Sequence, residues 1–200
     1  MLLGLQGGMA VGKTSVIQYL YDYSPIIRGV AEDNREVIER LNRQQLDKTV
    51  YEDYLEIQRY WIAHEIKRFR QIQDYPYHLI DWGAEEIAFY TLHYPRSIGK
   101  DWDIEQALAP ELAALKACYP ERVLYLEAKP ETLLARKAGD VTRERSFFEH
   151  YTTKLLPYKK EWLMTQLPVD VLVVDNLSKE HVGQLVVKWA EHHFEIESSS

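Results

Sequence analysis

The stretch Leu2 to Ser15, Leu-Leu-Gly-Leu-Gln-Gly-Gly-Met-Ala-Val-Gly-Lys-Thr-Ser, limits what this chain can fold into more than any other. It sets Gly7, Gly12, Lys13 and Thr14 in the spacing G-x-x-x-x-G-K-[ST]. A short apolar run precedes the motif and a helical pattern follows it, so the local order is strand, loop, helix. Glycines let the backbone wrap closely around phosphate oxygens, with successive N–H groups pointing inward as a nest. The helix that begins at the loop turns its positive end toward the anion. Gly7, Gly8, Met9, Ala10, Val11, Gly12, Lys13, Thr14 and Ser15 are therefore assigned to a nucleoside triphosphate. Lys13 would reach the outer phosphates, and the Thr14 hydroxyl would help hold Mg²⁺. The alternative is a chance Gly-rich turn. The motif names no acceptor.

A length of 200 residues suits one domain, here 1–200, or a domain with a lid. With 46% hydrophobic residues the chain can bury a core, and a net charge of −7 argues against nucleic acid as the main partner. The single cysteine, Cys118, allows no internal disulfide and fits a reducing compartment. The first strand starts within the first residues, leaving no room for a signal or transit peptide. No apolar run approaches membrane-spanning length. The expectation is a soluble, cytoplasmic protein with no membrane partner.

Strands are predicted at Leu2 to Gln6, Ile26 to Val30, Tyr77 to Asp81, Arg122 to Ala128 and Val169 to Val174. Helices are predicted at Lys13 to Tyr21, Glu36 to Asn42, Tyr51 to Gln73 and Ala84 to Tyr94, then from an Asp103 cap through Cys118 and from Pro130 to Lys137. A helical stretch from Phe147 to Leu167, interrupted at Pro157, and a Ser178-capped last helix follow. Pro95 to Asp101 reads as a loop, and Ser198 to Ser200 as a disordered end. The alternation predicts an α/β fold, a parallel sheet with helices on both faces. Ligands of such sheets bind beyond the strand carboxyl ends. No repeat and no dividing linker is seen.

Two strands end in aspartate. Asp81 is favoured as metal ligand or base, because Asp-Trp-Gly-Ala-Glu-Glu keeps carboxylates at the sheet mouth; the alternative is a cap on the following helix. Asp175 suits a turn. Arg136, Arg143 and Arg145 flank or lie in a polar, Gly-containing segment at about 137–146, read as a lid whose arginines neutralise the moving phosphoryl group. A solvated loop is the alternative. Glu32 or Asp33 would take a proton from an acceptor hydroxyl, and Arg35 would bind an acceptor phosphate, unless they form an acidic helix start. Gln58 and Arg59, with Tyr54 and Trp61, would face an acceptor, although aromatics at helical spacing also build cores. His192 and His193 point apart on a helix and form no metal site. Cys118 is expected to be buried and inert.

These motifs resemble the P-loop nucleoside and nucleotide kinases, such as thymidylate kinase and the deoxynucleoside kinases. The resemblance spans nearly the whole length, with the loop its most specific part. Asp81-Trp82-Gly83 and the helix through Glu86-Ile87-Ala88-Phe89-Tyr90 are similar to the family's Asp-Arg motif and its helix. Leu134-Ala135-Arg136, Arg143 and Arg145 are similar to its lid, and Gln58-Arg59 with His64 to an acceptor-contacting helix. Val171 to Asp175 with Ser178 is similar to the last strand and turn, where adenine usually sits. The resemblance implies a three-layer fold with a five-stranded parallel sheet in order 2-3-1-4-5 and a helical lid. It also implies ATP, Mg²⁺ held with Thr14 and Asp81, and transfer of the γ-phosphoryl group to a nucleoside or nucleoside monophosphate. The family usually carries arginine after the strand-three acid, where this chain has Trp82, which would stack on a flat acceptor instead. Members often dimerise near the acceptor side, and Tyr90, Leu92 and Tyr94 suit either a homodimer or the interior.

The leading expectation is a kinase in which Lys13 and the loop amides hold ATP and a small acceptor receives the phosphoryl group. A regulatory ATPase or switch without such an acceptor is the alternative. A third reading keeps the fold and replaces the nucleoside by another small metabolite.

Overall fold

The computed structural model describes residues 1–72, 74–138 and 145–195, with the side chains of Arg145 and Ser146 outside the description. Five strands form the sheet: β1 (Leu2–Gly7), β2 (Arg28–Val30), β3 (His78–Asp81), β4 (Arg122–Glu127) and β5 (Val169–Val173). All neighbours pair in parallel, in the order β2-β3-β1-β4-β5. This is the order the resemblance implies. The apolar character of β1 follows from its central place, since every one of its residues is buried. At the edge, β5 leaves Val171 and Val173 exposed.

Contacts divide the chain into two compact units. The first comprises the described residues of Met1–Ala31, Tyr75–Asp81 and Pro120–Ser200, and holds the whole sheet. Its helices are α1 (Lys13–Tyr23), α7 (Pro130–Ala138), α8 (Arg145–His150), α9 (Leu156–Gln166) and α10 (Lys179–His193). Leu3, Leu5, Val16, Ile17, Leu20, Leu126 and Val186 are among the side chains of one continuous core. Ser178 caps α10 by accepting from the His181 N–H at 3.1 Å. Close approach of α1 to α10 requires Gly183, where a Cβ would stand 2.4 Å from the Tyr19 ring.

The second unit comprises the described residues of Glu32–Asp74 and Trp82–Tyr119. It is helical: α2 (Arg35–Gln44), α3 (Tyr51–Gln71), α4 (Ala84–Ser97), α5 (Ile104–Ala107) and α6 (Ala109–Lys116). Neither unit is one continuous stretch, so no linker in the sequence marks them.

Three prolines changed the expected boundaries. Helix α4 runs through Pro95 to Ser97, where a loop was expected. Proline has no N–H for the carbonyl four residues earlier. Here that carbonyl belongs to Thr91, and the buried Tyr54 hydroxyl donates to it at 2.9 Å. The expected single helix from Asp103 to Cys118 is divided at Leu108, with Pro110 in the first turn of α6. Asp103 caps only the shorter piece, accepting from the Gln106 N–H at 3.2 Å. The break expected at Pro157 is a π-helical turn, Tyr151–Leu155, just before it. The end at Ser198 to Ser200 lies outside the described residues.

Candidate active site

The loop starts at the last residue of β1. Gly7 has φ of +141°, and a Cβ there would lie 2.4 Å from the Leu126 carbonyl oxygen on β4. Gly12 has φ of +115° and ends the loop as the N-cap of α1. Between them Ala10, at φ of 63°, also takes the left-handed conformation. Such alternation lets backbone N–H groups converge on an anion. The first turn of α1 carries no acid, and its N-cap, Gly12, has no side chain to cap it. The positive end of the helix faces the loop.

Three cations from this unit bind the loop's carbonyls. The Lys13 ammonium donates to Gly8 O at 3.1 Å. Arg136 on α7 donates through Nη1 to Val11 O at 2.8 Å and through Nη2 to Val174 O at 2.9 Å. Lys159 on α9 donates to Gly7 O at 3.1 Å. Arg136 was expected as a lid residue, and it contacts the loop itself. Lys159 was not foreseen, because a Lys-Lys pair in a mixed helix reads as a solvated face.

Asp81 is the last residue of β3, paired in register with Leu5, and is buried. The following helix has Gly83 as its N-cap. Thr14 is the second residue of α1. Among the described residues no cluster of three or more His, Cys, Asp or Glu side chains is placed to hold a metal. Mg²⁺ is commonly held by one or two carboxylates together with substrate phosphates, so a site of one hydroxyl and one carboxylate would need the phosphates to complete it. Asp175 has a different task. It accepts from the Lys129 N–H at 2.8 Å and the Thr132 hydroxyl at 2.7 Å, binding the start of α7. These hydrogen bonds, the Thr132 one foremost, hold its carboxyl below the usual range. Arg143 lies outside the described residues, as does most of the expected lid, and Arg145 is described only as the first residue of α8.

In the helical unit, the residues expected to meet an acceptor are largely engaged with one another. Arg35 pairs with Asp33 at 3.2 Å, and its hydrogen bond holds the Asp33 carboxyl below the ordinary value. Asn34 donates to Glu32. His64 Nε2 lies 2.6 Å from Asp33 O. Arg59 donates to Glu111 at 3.0 Å, tying α3 to α6. Gln58 is buried, and its side-chain oxygen accepts from the Thr91 hydroxyl at 2.8 Å.

Trp82 has φ of 59°, a strained conformation for a bulky residue. The Trp61 ring meets it edge-on, with centroids 5.6 Å apart. The buried Arg68 donates through one nitrogen both to Glu65, at 2.9 Å, and to Trp82 O, at 3.0 Å. Burial pushes the Glu65 carboxyl above its usual range, although Arg68 pulls it down. Arg68 escaped the sequence reading because a charged residue at helical spacing gives no sign of being buried.

The sheet order and surrounding helices are those of a P-loop kinase α/β fold. Solved structures with this fold include a deoxyadenosine kinase from M. mycoides with the products dCMP and a flexible dCDP bound. It matches with TM-score 0.71 and 14% identity over 96% of this chain and 100% of that one. The same enzyme with bound dATP matches with TM-score 0.69 and 15% identity, over 94% and 99%. With bound dCTP it gives TM-score 0.67 and 14% identity, over 94% and 98%. No family model and no curated protein matches the sequence. No helix among the described residues is long and apolar enough to cross a membrane.

Proposed function

We propose that this protein is an ATP-dependent kinase whose acceptor is a nucleoside. The observation that carries the proposal is the loop of Gly7 to Thr14, placed at the carboxyl end of β1 with the start of α1 behind it. Its setting is a fold shared with deoxyadenosine kinases. The loop amides and Lys13 would bind the phosphates of ATP, Lys13 exchanging its contact with Gly8 O for a phosphate oxygen. Thr14 and Asp81 would hold Mg²⁺, which when bound offsets the phosphate charge. Arg143 and Arg145 are proposed to neutralise charge on the transferring group.

Among acceptors a nucleoside is favoured over a monophosphate. Both arginines considered for the acceptor side are in ion pairs, Arg35 with Asp33 and Arg59 with Glu111. Trp82 offers a ring for stacking and no charge for a phosphate. Gln58, fixed through its oxygen by Thr91, would turn its amide N–H groups to a base. Glu32 suits the proton-accepting role better than Asp33, whose pairing with Arg35 makes it a weaker base. Catalysis of this kind is chiefly positioning and electrostatics.

The test is ATP consumption across a panel of nucleosides and nucleoside monophosphates. Consumption is expected to require a nucleoside and to disappear in Lys13→Ala. Hydrolysis that is equally fast without any acceptor would favour the regulatory ATPase instead.

A further inference from the structure

We propose that Lys159 is a positioning residue of the nucleotide loop, acting from beneath it. The inference rests on the proposed ATP-binding role of that loop. Lys159 is 1% exposed. A lysine ammonium withdrawn from water is costly, so a position that retains one calls for a reason. Its Nζ donates to Gly7 O at 3.1 Å and to the hydroxyl of Tyr151 at 3.0 Å.

The Gly7 contact has a geometric consequence. A trans peptide unit is planar, with its C=O and N–H pointing in opposite directions. Drawing Gly7 O down to Lys159 therefore aims the Gly8 N–H up, to the side where phosphate oxygens would lie. Gly7 is the residue whose φ of +141° opens the loop, so this peptide plane has unusual freedom unless something fixes it.

The local helix geometry delivers the side chain there. Eight residues of regular α-helix carry a side chain about 80° past two full turns. The π-helical turn at Tyr151–Leu155 takes up about one extra residue and returns Lys159 to the face of Tyr151. Leu156, three residues before Lys159 on the same face, packs under the loop as well. A Cβ on Gly8 would stand 3.0 Å from a Leu156 methyl. The first turn of α9 thus meets Gly7 through the ammonium and Gly8 through the leucine.

The experiment measures binding of the non-hydrolysable analogue AMP-PNP and of inorganic tripolyphosphate, with no acceptor present. The proteins compared are wild type, Lys159→Met and Tyr151→Phe. Lys159→Met is expected to weaken both ligands at least tenfold, and to raise KM for ATP by more than it lowers kcat. Tyr151→Phe keeps the ring and removes the hydroxyl that orients the ammonium, and is expected to weaken both ligands severalfold. It decides the matter if Lys159→Met does not fold. A merely structural lysine would lower the melting temperature and the active fraction while leaving the affinity of the folded fraction unchanged. Unchanged affinity in the folded variants overturns this inference alone. A wild-type protein that binds neither ligand overturns the underlying kinase proposal, and this inference with it.

Discussion

The loop unit and the helical unit use their polar groups in opposite ways. In the loop unit the proposed binding groups are backbone amides, and among the described residues three cations from α1, α7 and α9 bind the loop's carbonyls. In the helical unit the polar side chains bind each other: Arg35 with Asp33, Arg59 with Glu111, and Thr91 with Gln58. Backbone binding depends on glycine placement and on where the helix begins, which a sequence records. Side-chain pairing depends on which residues meet in space, and sequence spacing records that poorly. A motif can therefore name the donor site while the acceptor site stays unreadable.

The largest expected effect falls on the loop side. Lys13→Ala removes the cation proposed to reach the outer phosphates, and is expected to lower kcat/KM for ATP by at least about 100-fold. Steady-state kinetics with a saturating nucleoside checks it. Gly7→Ala comes next. Its new methyl group would stand 2.4 Å from Leu126 O in a conformation that only glycine adopts easily. Destabilisation of about 1–3 kcal/mol is expected, with loss of nucleotide binding, measured by denaturant unfolding and by calorimetric titration.

On the helical side Gln58→Leu is expected to raise KM for the acceptor about 10-fold or more and to leave KM for ATP unchanged. A parallel rise in both constants would erase the contrast between the units. Arg59→Ala should be nearly silent, because its pair with Glu111 is part-exposed and such pairs contribute about 0–1 kcal/mol. A large rise in acceptor KM in Arg59→Ala would show that this arginine leaves Glu111 to bind substrate.

The smallest effect is on pH dependence. Asp175 has a folded-state value below its ordinary 3.8, chiefly through the Thr132 hydrogen bond. Its contribution is present above the unfolded value and is lost as pH falls through the folded one. Wild type and Asp175→Asn should differ in unfolding midpoint at neutral pH and converge on acidification. A difference that persists in strong acid would place the effect elsewhere.

Much of the fold was legible because strands and glycines carry strong local signals. The five strands follow from buried apolar runs alternating with helices, and their order is the one the family resemblance implies. The differing helix boundaries lie at prolines: Pro95 inside α4, and Pro110 and Pro157 in the first turns of α6 and α9. Pro95 stays inside α4 because Tyr54, 41 positions earlier, satisfies Thr91 O. Lys159 and Arg68 were missed because both are buried. Burial of a charged side chain is a tertiary property, and neither residue's neighbours in sequence reveal it. Trp82 stood out as a departure, but its left-handed backbone and its link to Arg68 needed the structure.

The central claim, a donor loop that serves an acceptor nucleoside, is tested most directly by ³¹P NMR of ATP, Mg²⁺ and a mixture of deoxynucleosides with the protein. The expected result is a new phosphomonoester signal that grows as the γ-phosphate of ATP disappears, and that requires both a nucleoside and an intact Lys13. Inorganic phosphate as the sole product, formed at the same rate with and without nucleosides, would contradict it.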